Sequence, residues 1–411
     1  MNHYNYIFAG GGCAALSTAL RMSQLGLKDQ RILIIDQDNK VSNDRTWCFW
    51  SEGDHPFQDI VHHSWPKMSF VDDRGAVRSD MGNYQYHLIR GIDFYQKVKA
   101  LLKQQPNVHF LTDKVENVYQ TEADTTVVWT TNKGFTADLV LNSIFRRPAE
   151  THAVHQYNLQ QHFMGWWIET DQPQFDPGEA RLMDFSIEQQ GDCRFMYILP
   201  VSATKALVEF TLFSEKILTR EAYEKVLEDY IRQQLKIEHY KIYEKEKGRI
   251  PMTNQNLSRF EGEHIIPIGT AAGWVKPSTG YAFLNIQKKS QALAESLVTG
   301  NRPAQVSPRN RYQFYDNLLL HILTNWGSLG KRIFSALFRN NPTHRILTFL
   351  NERSTLKEEV LIFGSLPYAP FLRALWQRTF RNFNKTEKPF FSIPEERVRS
   401  LQVDGNSEKV F

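Results

Sequence analysis

The sequence predicts a mixed α/β fold of more than one domain. Three observations lead there. The first forty residues alternate strand, helix and strand. A stretch from Val108 to Ile144 alternates and turns like a β-meander. From about Thr279 to Phe380 the pattern is mainly helical. A chain of 411 residues has room for two or three domains.

In chain order, "NYIFAG" reads as a short buried strand. "AALSTALRMSQLG" has helical spacing of apolar residues, with Gly26 as its stop. "RILIIDQD" is a second buried strand, ending in Asp36. Strand-like pieces follow at "KMSFVDD" and "YQYHLIR". "GIDFYQKVKALLKQQ" is an amphipathic helix closed by Pro106. "QHFMGWWIET" and "FMYILPVSATKALVEFTLFSE" are strands, the second broken by a turn at "SATK". "TREAYEKVLEDYIRQQLK" is a helix, and "EHIIPIGTAAG" is a strand meeting a glycine turn. The domains expected from this order are 1–150 with 250–300, including a β-insert near 50–90, then a β-sheet domain at 151–249. A helical region at 301–380 and a polar tail at 381–411 complete the chain.

The net charge of +4 makes no general case for nucleic acid. The balance is uneven: Lys288 to Lys388 holds 16 Lys and Arg against 6 Asp and Glu. These cations alternate with Trp, Phe and Leu, as on a basic amphipathic surface that rests on anionic lipid. The alternative is a helical cap with a solvated basic face. Aromatic residues make up 13% of the chain, which suits a large apolar ligand or a dense core. Cys13, Cys48 and Cys193 form no CxxC pair, and His62 and His63 have no ligand-spaced companions, so no metal site is expected. The first residues lack a signal-peptide pattern, and no stretch approaches the ~18 apolar residues of a spanning helix. A cytoplasmic protein, peripherally associated with a membrane, is the expectation.

The spacing Gly10-x-Gly12-x-x-Ala15 follows a strand and opens a helix. Gly10 permits the tight turn, Gly12 lets backbone approach a pyrophosphate, and Ala15 stands where the helix packs on the strand. The helix N-terminus aims N–H groups at phosphate. Asp36 ends the next strand, where a ribose hydroxyl is bound. A Rossmann-like dinucleotide site follows. FAD is favoured over NAD because a second strand–glycine–helix unit, "IIPIGTAAGWVKPSTGYAFL", lies far downstream, as in two-domain flavoproteins. Its glycines are Gly269, Gly273 and Gly280. A helix starting near Thr279 would point its positive end at the flavin. The Asp usual after the first of these glycines is replaced by Thr270, which counts against a generic aromatic hydroxylase.

Four segments, "NDRTWCFW", "FMGWWIET", "LPVSATKALVEFTLFSE" and "GTAAGWVKPSTGYAF", occur in this order. Together they resemble the lycopene cyclase family of carotenoid synthesis in its bacterial flavoprotein form. The resemblance runs to about Phe371, and P-[ST]-T-G-Y is its most specific piece. It implies closure of the linear end groups of lycopene into β-ionone rings without change of formula. It also implies FAD as cofactor, with NAD(P)H keeping the flavin reduced. Arg45 stands where related flavoproteins place an arginine near the flavin. A surface Asp44–Arg45 turn is the alternative.

Ring closure of an unactivated polyene needs a proton delivered to carbon, a stabilised carbocation and exclusion of water. The acid must be a carboxyl kept protonated by apolar surroundings. Strand alternation puts Leu207, Glu209, Thr211 and Phe213 on one face, so Glu209 is a carboxyl among apolar neighbours. It also matches the family's strand glutamate. The plain alternative is a strand glutamate facing water. Relatives carry a second acidic residue directly after it, where this chain has Phe210. Either that carboxyl is dispensable or another group takes its role. Trp47, Trp166, Trp274 and Tyr281, with Trp50 and Trp167, are candidate π faces of the substrate pocket. Lys276 stands where several relatives have His, and either holds negative charge on the flavin or faces solvent. The base for the final proton is not identified. Competing expectations are a flavin monooxygenase or halogenase on an apolar substrate, and a non-catalytic lipid-binding flavoprotein.

Overall fold

We describe a computed structural model of the chain over residues 1–122, 125–146, 155–255, 257, 263–300 and 311–380. The polar tail expected at 381–411 lies outside the described residues. A first sheet has the order Val108–Thr112, Ile32–Asp36, Asn2–Ala9, Gly134–Asn142, Thr126–Thr130, Val115–Gln120, with Ile265–Pro267 also pairing Gly134–Asn142. Its central strands are parallel: Phe8 pairs with Ile34 on one side and Leu141 on the other. The last two strands of that order run antiparallel, giving a meander from Val115 to Asn142. Val108–Thr112, expected at its start, instead pairs parallel with Ile32–Asp36 at the other edge, where a crossover through the helix Gly91–Lys103 delivers it. Such near-continuous apolar strands belong in a sheet covered on both faces. The helices Cys13–Gln24, Gly91–Lys103 and Phe283–Val298 cover one face, burying Leu16, Phe94, Val98 and Ile286 with Phe8 and Ile34. On the other face, Ile7, Leu33 and Ile35 pack with Val128 and Phe135.

The second sheet runs Tyr240–Thr253, Asn158–Thr170, Lys205–Ser214, Cys193–Pro200, Glu179–Asp184, Lys67–Asp72, Gly75–Asp80. Residues 67–80 therefore belong to this sheet, although sequence order grouped them with the first domain. The reason is edge pairing: Lys67–Asp72 lies parallel to Glu179–Asp184, a contact that local pattern does not encode. Alternation along Lys205–Ser214 sorts its side chains. Val208, Phe210 and Leu212 pack beneath the helix Arg220–Gln233 with Tyr223, Leu227 and Ile231, while Leu207 and Phe213 enter the larger central core. Thr219 caps that helix, its hydroxyl accepting from the Ala222 N–H. A small third sheet, Thr46–Glu52, Tyr84–Arg90 and His63–Trp65, bridges the two halves.

The C-terminal part is helical: Arg311–Asn325, Leu329–Asn340, Thr343–Leu350, Leu356–Ser365 and Tyr368–Phe380. Phe334, Leu337 and Phe338 pack with Phe70, Phe185, Phe195 and Phe213, so this region covers the same face of the second sheet as Leu207, opposite the helix Arg220–Gln233. Among the described residues, no helix is long and apolar enough to cross a membrane.

The helix expected to start near Thr279 starts at Phe283. Gly280 has φ +73°, a left-handed conformation that a helix cannot include. Residues 276–281 instead close a turn, with the Gly280 and Thr279 N–H groups on the Lys276 carbonyl and the Lys276 N–H on that of Tyr281.

Candidate active site

One cavity of about 610 Å³ joins the carboxyl ends of the first sheet to the inner face of the second. The crevice outside the carboxyl ends of parallel strands is where such folds bind ligands. At that end it is lined by Gly10, Gly12, Asp36, Arg45, Gly269 and Thr270. Gly10 has φ +95°, and a Cβ there would sit 2.2 Å from Ser143 Oγ, so the turn admits only glycine. A Cβ at Gly12 would meet nothing within 4 Å, which leaves its backbone open to a phosphate. Ala15 does not reach the cavity; it is fully buried in the core where the first helix packs. Asp36 accepts from the Gly11 N–H at 2.6 Å and the Asp38 N–H at 2.8 Å, which fixes its carboxylate at the cavity wall. Arg45 pairs with Asp44 at 3.0 Å with its side chain half exposed, and its backbone carbonyl holds the Gly91 N–H. Thr279 and Gly280 line the cavity's middle with Gln161. The Thr279 Oγ1 and Gln161 Oε1 atoms are buried without a hydrogen-bond partner among the described residues. Buried polar atoms in native proteins are satisfied, so these two fit the polar edge of a bound molecule. Gly273 stands off the cavity lining; with φ +66° it ends the short turn Gly269–Ala272.

At its other end the cavity meets Glu209, with Tyr86, Tyr197, Tyr281, Cys48 and Trp47. Glu209 is 9% exposed and accepts from the Thr211 hydroxyl at 2.7 Å. Across from it stands Glu246, which sequence reading missed. The strand Asn158–Thr170 lies between the two, and Gly165 is registered with Glu209 on one side and Glu246 on the other. Glu246 accepts from the Thr46 hydroxyl at 2.6 Å and is 8% exposed. Burial pushes the Glu209 carboxyl well above the usual carboxylate range, and the neighbouring Glu246 charge pushes it further. Burial raises Glu246 as well, but hydrogen bonds to its carboxylate, that of Thr46 first, work against the rise. Both carboxyls are thus held toward the protonated form, Glu209 with burial and the Glu246 charge acting together. The phenols of Tyr86, Tyr197 and Tyr281 gather beside the pair, Tyr281 hydrogen-bonded by the other two, and burial keeps all three neutral. Such a site can deliver a proton to an apolar molecule and surround a cation with anionic and π-rich groups.

Three expected pocket residues lie elsewhere. Trp166 pairs with Val208 and packs on the outer face under the helix Arg220–Gln233, with the Lys245 ammonium 4.9 Å from its ring centroid. Two adjacent strand residues face opposite ways, so Trp167, registered with Leu207, takes the Glu209 face. Trp274 is buried in the first domain's core with Phe283 and Ile286. Lys276 neither meets the cavity nor faces solvent. Its ammonium, 6% exposed, pairs with Asp316 at 3.1 Å and Glu352 at 2.7 Å. It ties the second glycine turn to the C-terminal helices, a long-range pairing that sequence does not display. Trp47 and Tyr281 do line the cavity; Trp47 is held edge-on by Phe94 at 5.2 Å between ring centroids.

Glu246 had a legible signal. Tyr240–Thr253 places Lys241, Tyr243, Lys245, Lys247 and Arg249 at the exposed positions and Glu244, Glu246 and Gly248 between them. Alternating lysines mark a protected edge strand, but the run of charges reads locally as a solvated segment.

A family model described as "Lycopene cyclase protein" matches residues 5–376. A lycopene beta-cyclase of Pantoea ananas is 26% identical over 91% of this chain and 97% of its own. A lycopene beta-cyclase of a Paracoccus strain is 35% identical over 30% of this chain and 32% of its own. Among solved structures, a flavoprotein/dehydrogenase from Cytophaga hutchinsonii aligns with a TM-score of 0.59 at 12% identity, over 88% of this chain and 100% of that one. A geranylgeranyl bacteriochlorophyll reductase-like protein from Thermoplasma acidophilum aligns at 0.56 and 11%, over 92% and 97%. These two likenesses establish a shared two-domain α/β fold. The family match spans both sheets, the cavity between them and the C-terminal helices, and the chain belongs to the lycopene cyclase family of enzymes.

Proposed function

We propose that this protein is a lycopene beta-cyclase that closes the linear end groups of lycopene into β-ionone rings. The observation that carries the reading is Glu209, buried at the inner end of a cavity whose outer end is lined by the glycine turns of the first sheet, where burial raises its carboxyl. Glu209 donates its proton to the terminal double bond of the end group. The cation that forms is faced by the carboxyl pair and by the rings of Tyr86, Tyr197 and Tyr281. Enclosure by Trp47, Leu199 and Leu207 keeps water from trapping it as an alcohol. Loss of a different proton then forms the ring double bond, and the formula is unchanged.

The cradle residues Gly10, Gly12, Asp36, Arg45, Gly269, Thr279 and Gly280 would hold FAD, with the pyrophosphate over the N-terminus of the helix Cys13–Gln24. Bound there in reduced form, FAD would supply an electron-rich face against the cation, with NAD(P)H as the reductant that keeps it so. The test is anaerobic conversion of lycopene in D2O with chemically reduced FAD. The expected product is isomeric with lycopene and carries one solvent deuterium per ring. No conversion without O2, together with oxygen or halogen in the product and one NAD(P)H consumed per turnover in a parallel assay in air, would instead make this a monooxygenase- or halogenase-type enzyme.

The substrate's partner phase is, in this reading, an anionic bilayer surface met by the last two described helices. Leu356, Val360 and Leu361 are exposed on one, and Tyr368, Leu372 and Trp376 on the other, the last three at a four-residue spacing along one face. Lys357 and Arg373 lie among them. Apolar anchors interleaved with cations bind headgroups. The protein is expected to float with phosphatidylglycerol vesicles and less with phosphatidylcholine, and Leu372→Asp with Trp376→Asp should abolish flotation. Equal flotation of the double variant would rule these helices out.

A further inference from the structure

The geometry assigns Glu246 a part in the chemistry. We propose that Glu209 and Glu246 form a carboxyl–carboxylate pair that holds one shared proton, gives it to the substrate and takes one back within the same turnover. The proposal rests on the cyclase reading above and deepens it.

Both side chains line the same cavity. They come from strands on opposite sides of Asn158–Thr170, and the residue between them is Gly165. A Cβ at that position would fall 3.4 Å from Glu209 Cβ, 3.1 Å from Glu246 Cγ and 2.8 Å from Leu207 Cδ1. The absent side chain is the space through which the carboxyls meet. Each then has its own hydroxyl donor from a different strand, Thr211 for Glu209 and Thr46 for Glu246. Among the described residues neither carboxyl has a Lys, Arg or His partner in an ion pair. The other titratable groups around the pair are the Cys48 thiol and the phenols of Tyr86, Tyr197 and Tyr281, all held neutral by burial. Glu244, two residues along the Glu246 strand, is paired with Arg90 at 3.3 Å. Lys245, Lys247 and Arg249 are exposed at the alternate positions of that strand; Lys247 and Arg249 also line the cavity, on the strand face opposite Glu246. Two buried carboxylates without a cation cannot both be ionised, so the pair at rest carries one proton and a charge of −1.

The step balances within the pair. The O–H bond of Glu209 breaks and a C–H bond forms at the terminal alkene carbon. The ring C–C bond forms from the polyene's own electrons. A C–H bond beside the cationic carbon then breaks, its electron pair becomes the ring double bond, and the proton passes to Glu246. The pair ends with one proton, as it began, and no oxidant or reductant is consumed.

The test is Glu246→Gln, which keeps the volume and removes the charge. Its anionic neighbour gone, Glu209 should lose its proton at lower pH. Activity needs protonated Glu209, so it is present below that pKa and lost as pH rises through it; the loss should move down by at least about one pH unit. Turnover at neutral pH should fall about 10²-fold, the weight of one acid–base group. A second readout needs no turnover. The infrared band of a protonated carboxyl, followed against pH in flavin-loaded protein without substrate, should disappear at a pH lower by the same interval. Glu246→Asp, which keeps the charge but draws it back by one methylene, should shift both readouts in the same direction by less; it serves if the Gln variant does not fold. Identical titrations in wild type and variant would overturn the pair. If the infrared titration shifts while wild-type protein forms no rings, the pair stands and the cyclase reading fails. If wild-type protein forms rings and the titration does not shift, the cyclase reading stands and the pair fails.

Discussion

Glu209→Gln is expected to lower the rate of ring formation by about 10²–10⁴-fold, the range for loss of a positioned general acid. Gln has the same length and volume, and its amide can donate to Glu246 where the carboxyl did. The variant should therefore fold, bind FAD and melt close to the wild type. The effect is large because Glu246 faces the substrate from a different strand and is the base of the pair, and the thiol and phenols beside Glu209 cannot replace it. Cys48 and the three phenols are weaker acids still, each driven upward by burial. The measurement is single-turnover formation of cyclic product under reduced flavin, with bound flavin quantified beside it. Activity retained with flavin bound would move the acid elsewhere. Loss of flavin together with activity would make Glu209 structural.

Lys276→Met is expected to destabilise the fold by roughly 3–5 kcal/mol, the cost of removing one partner of a buried ion pair. The Lys276 ammonium is the counterion of Asp316, which is itself buried and also accepts from the Ser278 hydroxyl at 2.6 Å. Without Lys276 an aspartate in the interior loses its cation. Burial already pushes its carboxyl up against the pull of Lys276. The denaturation midpoint of flavin-free protein should fall accordingly, while FAD affinity stays unchanged. A variant with wild-type stability but weakened FAD binding would return Lys276 to the flavin site. A double change with Asp316→Asn should recover part of the loss, because removing both charges leaves neither uncompensated.

How much of this was legible in the sequence depended on how local the signal is. Gly10-x-Gly12-x-x-Ala15 lies within one turn of chain, and the structure sets Gly10 in the left-handed conformation at the end of the first strand. Alternation along Lys205–Ser214 sorts Glu209 and Leu207 from Val208 and Phe210 without reference to anything else. Trp166 and Trp167 show the limit of that method. Alternation says that they face opposite ways; only the pairing of Gly165 with Glu209 says which one shares the carboxyl's face.

The sequence by itself determined the βαβ opening, the faces of the Glu209 strand and the helical C-terminal region, because each follows from a period of two or 3.6 residues along one segment. Tertiary structure alone decided what stands opposite each face. It brought Glu246 across Gly165, sent Lys276 to Asp316 instead of the cavity, and joined residues 67–80 to the second sheet. The physical reason is common to all three. A side chain's direction is set by its neighbours in the chain, but its partner is set by the register of strands and the packing of helices far away in sequence, and a carboxyl's proton depends on the partner.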